Sequence, residues 1–384
     1  MYKTNRAWIE LNRSHLLHNR KELQQLAGEH CALMPAVKAD AYGHGDILIS
    51  RLLQEAGIRD YCTATVDEAV RLRRAGIRGQ ILILGYTHPD AFPELEEYSL
   101  TQTVIDAGYA EELSGYMQRS SGCSRSLPVH VAIDTGMHRL GIPYEDIDSI
   151  FRIWSLPSLQ ITGVFSHLCV SDGQSEAEKS FTEQQIYRFR RTTDTLHARG
   201  ISGFRTHIQG SYGLLNYSRY HFDLARPGIA LYGVLSSAKD RMAFPAAAEL
   251  LKPVLSLKAR ISCIRRLPSG ESAGYGLTYT ARSTRKIAIV SAGYADGIPR
   301  SLSNRGHALV NGKCVPIIGR ICMDQLTLDV TAVPDVQRGN EAIFIGRSGN
   351  CEIRAEDMAE DAGTITNEIL SRMGARVQRI VKND

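Results

Sequence analysis

A single lysine closes a short apolar run in AVKADAYGHG (residues 36–45), and a small, glycine-punctuated polar loop follows it. An amine held in a crowded mouth loses solvation, its pKa falls, and it becomes a nucleophile toward an aldehyde carbon. An isolated lysine at a loop edge is ordinarily a solvated surface residue. Lys38 therefore gains meaning only from what the chain puts beside it. Two further stretches matter here: HIQGSYG sets Ser211 between glycines, and RPGIALYG places Arg226 two residues before Gly228. Such turns direct backbone N–H groups and a hydroxyl at an anion, although turn glycines alone are common.

The elements that must position these groups alternate. AVKA, YCTATV, QILILG, TQTVI, VHVAID, QITGVFSHL, FRTHIQG and ARPGIALYG read as eight strands. Amphipathic stretches lie between them, at residues 46–56, 67–75, 90–97, 106–120, 144–154, 177–199 and 211–217. Parallel neighbours need helical crossovers, so the pattern predicts an α/β chain with an N-terminal (β/α)8 barrel over residues 1–240. The open doubly wound sheet is the alternative, but no GxGxxG follows the first strand. Barrel enzymes carry their sites at the C-terminal ends of the strands, with phosphate after the seventh and eighth. Lys38, Ser211 and Gly228 occupy such places, which suit a phosphorylated aldehyde coenzyme such as pyridoxal 5'-phosphate (PLP). After residue 240 the texture is β-rich, with Gly, Pro and Asn turns and hardly any helical period, and predicts a mainly β domain over 241–384. AWIELN near the start could pair with it, and a helix over residues 13–26 follows.

Composition excludes several classes. In 384 residues, 43% hydrophobic and 22% charged content is that of a globular chain. A net charge of +4 gives no nucleic-acid footprint, and the arginine clusters at 71–74 and 188–191 read as exposed helix faces. The eight cysteines form no CxxC pair and no zinc spacing; Cys62, Cys169, Cys263 and Cys322 read as buried, reduced thiols. No metal site, membrane span or signal peptide is expected, and the location expected is cytoplasmic.

Seven motifs in order, AVKADAYGHG, DTGMHRLG, SHL, RPGIALYG, GYGLTYTA, GYADGIPR and GRICMDQ, together resemble the alanine racemase family over nearly the whole chain. The resemblance implies that Lys38 holds PLP and acts as one proton-transfer base. Tyr275, of GYGLTY, is the other, supplied by the partner subunit of a homodimer with shared active sites. It implies that Arg226 faces the pyridine nitrogen, where a permanent cation disfavours a protonated ring. Tyr42, Ser211, Gly228 and Ile229 would hold the phosphate. Arg139 would lie near the phenolic oxygen and the substrate carboxylate, and Met323 would offer its backbone N–H to that carboxylate from a loop shaped by Asp324. His167 would support Tyr275, His207 would orient Arg226, Arg300 would orient Tyr275 or its surroundings, and Tyr294 would line the entrance.

Two positions depart from the family pattern. Many members carry a lysine, often carbamylated, seven residues before the arginine of DTGMHR; here Ala132 stands there, leaving Arg139 without that negative neighbour. TITNEIL has Asn367 where the family typically has a tyrosine beside the substrate and phosphate. A short amide opens volume and adds a donor and an acceptor, suited to a serine hydroxymethyl; an asparagine filling a turn is the bland reading. The pattern resembles the racemase portion of the vancomycin-resistance serine/alanine racemases, whose D-amino acids serve the cell wall and in which such a domain follows a membrane-embedded segment. The expectation is a PLP-dependent isomerase interconverting L- and D-serine and alanine. A longer membrane-anchored protein could contain this chain as its cytoplasmic portion. The alternatives are an alanine racemase with little serine activity, a PLP-dependent decarboxylase, and a non-catalytic PLP-binding protein.

Overall fold

The structure is a computed structural model that describes residues 6–121 and 126–383. Two compact units form: a barrel unit of Arg20–Ala41 and Asp46–Leu231, and a β unit of the residues up to Asn19, Tyr42–Gly45 and those from Tyr232 onward.

In the barrel unit, strands Asp60–Thr63, Gln80–Ile83, Thr101–Val104, Leu127–Asp134, Leu159–Phe165 and Arg205–His207 pair in parallel in that order. The eighth strand, Leu224–Ala225, pairs in parallel with the first, Ala32–Leu33. The remaining gaps close by isolated backbone bonds: Arg226 N–H donates to Gln209 O at 2.9 Å, while Val37 N–H donates to Cys62 O at 2.9 Å and Cys62 N–H to Pro35 O at 3.0 Å. Helices Asp46–Glu55, Val66–Arg74, Phe92–Glu97, Ala107–Ser121, Ile147–Trp154, Glu176–Ala198 and Ser211–Tyr217 supply the crossovers. Their starts are encoded locally. Thr65 caps one by accepting Glu68 N–H, and Ser175 with Glu178 closes a reciprocal capping box on the longest.

Several local expectations need correction. AVKA is not the first ladder, which lies at Ala32–Leu33 with one isolated bridge at Ala36 to Cys62, so Lys38 sits beyond the strand. Only the start of ARPGIALYG pairs, because Pro227 has no N–H and Ile229–Tyr232 winds into a 3-10 turn. The C-terminal region holds short helices, Ala238–Ala243, Pro245–Leu250, Ala355–Ala362 and Thr366–Ser371, too short for a helical period to register in the sequence. Of the four thiols expected inside, Cys62 is buried, Cys263 and Cys322 are half-buried and Cys169 is exposed. Arg71 and Arg73 do not simply face water. Arg71 binds buried Asp46, and Arg73 donates to the carbonyls of Tyr98, Ile77, Gly79 and Ser99.

The β unit is built on Leu255–Leu267, which pairs antiparallel with Ala7–Asn12, Arg285–Val290 and Glu341–Ser348. Ala7–Asn12 also pairs in parallel with Gln378–Lys382, so both ends of the described chain enter one sheet. Beside it, the fully buried Asp296 accepts from Arg6 at 2.7 Å and from Arg376 at 2.8 Å. No helix among the described residues is long and apolar enough to cross a membrane.

Removing the Asp296 carboxylate leaves two guanidiniums facing each other without their shared acceptor. Asp296→Ala should cost about 2–3 kcal/mol at neutral pH, read as a lower urea midpoint.

Candidate active site

Lys38 leads into a turn of unusual hand. Ala39, Asp40, Ala41 and Tyr42 have φ of 52°, 55°, 53° and 52°, a left-handed helical turn made of L-residues. Each such residue costs roughly 1–2 kcal/mol because Cβ crowds the following carbonyl, so the turn persists only if its surroundings hold it. Ala39 N–H donates to Glu68 Oε1 at 2.7 Å, Ala41 N–H to Val37 O at 2.9 Å, and Asp46 N–H to Asp40 Oδ1 at 3.0 Å. The second Glu68 oxygen takes Ala64 N–H at 2.8 Å, so one carboxylate ties the lysine turn to the loop after the second strand. Strain of this kind concentrates where a side chain must be aimed. Small residues at 39 and 41 were the only sequence trace of it. The turn ends at Gly43, φ 76°, where a Cβ would lie 2.0 Å from Leu370 O.

Arg226 is the centre of the barrel unit's site. It is 5% exposed and has no carboxylate partner among the described residues. Its Nη1 meets His207 Nδ1 in a short contact, and its Nη2 donates to Ser166 O at 2.7 Å and lies 3.3 Å from His167 Nδ1. Burial, with Arg139 nearby, pulls the guanidinium down to about 10. Burial first, then the charges of Arg226, Arg139 and Lys38, drives His167 down to about 3, so Lys38, Arg139, Arg226 and His167 form one electrostatic group. Burial and Arg226 likewise hold His207 well below its ordinary value, and burial with Arg205 and Arg226 takes His130 to about 3. These rings are neutral acceptors. Sequence reasoning missed His130; its trace was a histidine on the inward register of VHVAID.

Ser211 Oγ accepts the N–H groups of Gly228 at 3.0 Å and Ala230 at 3.2 Å. The Gly228 N–H thus points at the serine, and Ser211 keeps its own proton to donate outward. Ile229 opens the 3-10 turn beside it. Ala132 is buried, and Arg139 is exposed with no ion pair among the described residues.

The remaining candidates belong to the β unit. Tyr42 packs against Tyr232 with ring centroids 5.2 Å apart. Tyr275 starts a tight turn between Gly274 (φ 78°) and Gly276 (φ 71°) and is 69% exposed. Leu277, Tyr294, Met323 and Ile365 are exposed as well. Met323 O accepts Ala295 N–H at 3.1 Å, and Asp324 pairs with Arg376 at 2.7 Å, which fixes that loop. Asn367 lies in helix Thr366–Ser371 rather than in a loop, and its amide oxygen is buried without a hydrogen-bond partner.

Two outcomes follow. Glu68→Ala removes the acceptor of Ala39 N–H in the strained turn together with that of Ala64 N–H, and should cost about 2–4 kcal/mol in urea unfolding. The buried His130 and His207 and the half-buried His167 have folded pKa values below the unfolded value of about 6.5, so the unfolded chain takes protons that the folded chain refuses. Stability is full above about pH 6.5 and falls below it, toward about pH 3, by about 1.4 kcal/mol per pH unit per ring. Unfolding measured at pH 7.5, 6.0 and 5.0 checks this, and His130→Gln should flatten the slope.

Residues 11–236 match the profile of the alanine racemase N-terminal domain, and residues 254–381 that of the C-terminal domain. The chain is 41% identical over 380 residues to an amino-acid racemase of Enterococcus faecalis and 41% identical over 384 residues to a serine/alanine racemase of Enterococcus gallinarum. In each case the match takes 98% of this chain and 52% of the relative. It therefore spans about half the length of these two relatives. An alanine racemase of Carboxydothermus hydrogenoformans is 39% identical, with 97% of this chain and 98% of the relative covered. Among solved structures, alanine racemase of Clostridium difficile 630 superposes with a TM-score of 0.91 at 31% identity, covering 100% of this chain and 97% of that one. The Bartonella henselae alanine racemase, with covalently bound pyridoxal phosphate, gives 0.84 at 28%, covering 98% and 100%. The chain belongs to the alanine racemase family.

Proposed function

We propose that this chain is a PLP-dependent racemase that interconverts the L and D forms of serine and of alanine, working as a homodimer whose subunits share their active sites. The residues present fit the cofactor: a buried cation without a carboxylate, neutral imidazoles around it, a serine proton free to face a phosphate, and a lysine presented by a strained turn. Bound PLP supplies an aldehyde carbon that condenses with amines and a conjugated ring that accepts the electrons left at Cα.

The chain's own residues do the rest. Lys38 holds the cofactor and, once displaced by substrate, moves a proton at one face of Cα. Tyr275 of the partner subunit moves the proton at the opposite face, since inversion needs a base on each side. Ser211, Gly228, Ile229 and Tyr42 hold the phosphate, with the Ser211 hydroxyl donating. Arg139 and the Met323 N–H take the substrate carboxylate, and Asp324 keeps the Met323 loop in place. Arg226 would face the ring nitrogen as a donor that does not give up its proton cheaply, so the bound ring would draw less charge from Cα, which favours return of a proton over loss of carbon dioxide. His207 and His167 hold that guanidinium as neutral acceptors. The exposure of the large apolar side chains of Tyr275, Leu277, Tyr294, Met323 and Ile365 supports a second copy covering them.

One observation carries the serine reading: the buried, unpartnered amide oxygen of Asn367. Such an atom costs about 1–3 kcal/mol when left unmade, and a substrate hydroxyl would satisfy it. Asn367→Tyr should therefore lower kcat/KM for serine more than for alanine; equal losses would remove the assignment.

Mixing two inactive variants tests the shared sites. Tyr275→Phe should keep the cofactor's absorbance and lose most turnover in both directions, while Lys38→Ala should lose both. Re-associated from a 1:1 mixture, they should recover about a quarter of wild-type activity, because half the dimers then carry one intact site. No recovery would place Tyr275 in its own subunit's site.

A further inference from the structure

A line of polar side chains crosses the barrel unit from one arginine to another. Arg205 donates to Asp60 Oδ1 at 2.7 Å and to Gln80 Oε1. Gln80 Nε2 lies 2.9 Å from His130 Nε2 and 3.2 Å from Thr101 Oγ1. His130 Nδ1 lies 2.8 Å from His207 Nε2, and His207 Nδ1 meets Arg226 Nη1. Both rings are fully buried and fixed by shape: His207 stacks on Phe165 at 4.8 Å and 4°, and a Cβ at Gly163 would lie 2.5 Å from the His130 ring.

The hydrogen-bond polarity along this line is over-determined. A guanidinium only donates, so Arg226 requires an acceptor at His207 Nδ1. A neutral His207 then carries its proton on Nε2 and gives it to His130 Nδ1, and a neutral His130 presents an Nε2 proton to residue 80. From the other end, Arg205 demands the Gln80 oxygen and turns the Gln80 NH2 toward that same proton. Three amphoteric groups between two cations cannot satisfy both demands.

We propose that the link which yields is Arg205 to Gln80: the amide turns its oxygen to His130, both histidines are held as Nε2–H tautomers, and Gln80 is a positioning residue for Arg226. The two ends differ in what replaces a lost partner. The Arg205 side chain is 39% exposed and keeps the Asp60 carboxylate, so water takes the vacated donor at little cost. Arg226 is buried and has no carboxylate among the described residues, so a mismatched His207 would leave a charged donor unpaired in the interior. Rotation of the Gln80 amide about its last bond exchanges its ends, and the Thr101 hydroxyl serves either one. Burial together with the flanking arginines keeps both rings neutral. The consequence for the cofactor's ring nitrogen rests on the role proposed above for Arg226; the tautomers do not.

Histidine ring nitrogens in the PLP-loaded protein, labelled with 15N and assigned with His130→Gln and His207→Gln, report protonation directly. Nε2–H signatures at both rings are expected; an Nδ1–H signature or an imidazolium at either ring overturns the proposal. Gln80→Glu offers oxygens to both neighbours. It should keep both tautomers and move the His130 Nε2 proton downfield, whereas Gln80→Leu should move it upfield. A His130 proton that does not move in Gln80→Glu excludes residue 80 as its acceptor, whether or not Gln80→Leu folds. These signals are independent of turnover, so their failure and a failure of racemisation are separate results.

Discussion

A guanidinium buried with no carboxylate among the described residues to neutralise it is the constraint on which the site depends. A charge in that position is costly unless every donor is met. Arg226 meets the requirement with carbonyl oxygens and neutral imidazole nitrogen rather than with an anion. The burial that makes the arginine costly also keeps His167, His130 and His207 unprotonated, so the acceptors do not become competing cations. In the role proposed for Arg226, a carboxylate would favour a protonated cofactor ring, and a cation with only donors would do the opposite.

Each unit is braced by its own device. The barrel unit fixes Lys38 by a left-handed turn that cannot relax while Glu68 holds it, and so converts backbone strain into aim. The β unit keeps its own groups rigid by a different device, an ion network in which Arg6, Asp296, Arg376 and Asp324 brace the Met323 loop. Its exposed aromatic and aliphatic side chains are the ones the proposed second copy would cover.

Much of this was legible in the sequence, for physical reasons. Helical crossovers such as Val66–Arg74 and Glu176–Ala198 carry both period and cap, so their limits were read within about two residues. The family motifs named Lys38, Arg226 and Ser211 directly. The ends of strands were harder: AVKA looks like a strand because it is apolar, yet it belongs to a strained connection that no propensity scale anticipates. Contacts made by polarity at long range were not visible at all. Nothing in QILILG or VHVAID says that Gln80 and His130 meet, because that depends on strand register across the barrel. Asn367 drew notice as a departure from the family pattern, but its setting in a short helix did not show, since six residues give no period.

The claim that an unneutralised arginine steers this site toward returning a proton is tested by product analysis. The purified chain with PLP is given L-serine and L-alanine separately; the amino acids are resolved by chiral chromatography, and carbon dioxide and pyruvate are measured in the same samples. The account predicts D-serine and D-alanine with neither by-product. Unchanged L-enantiomers, or carbon dioxide or pyruvate as the main product, would contradict it.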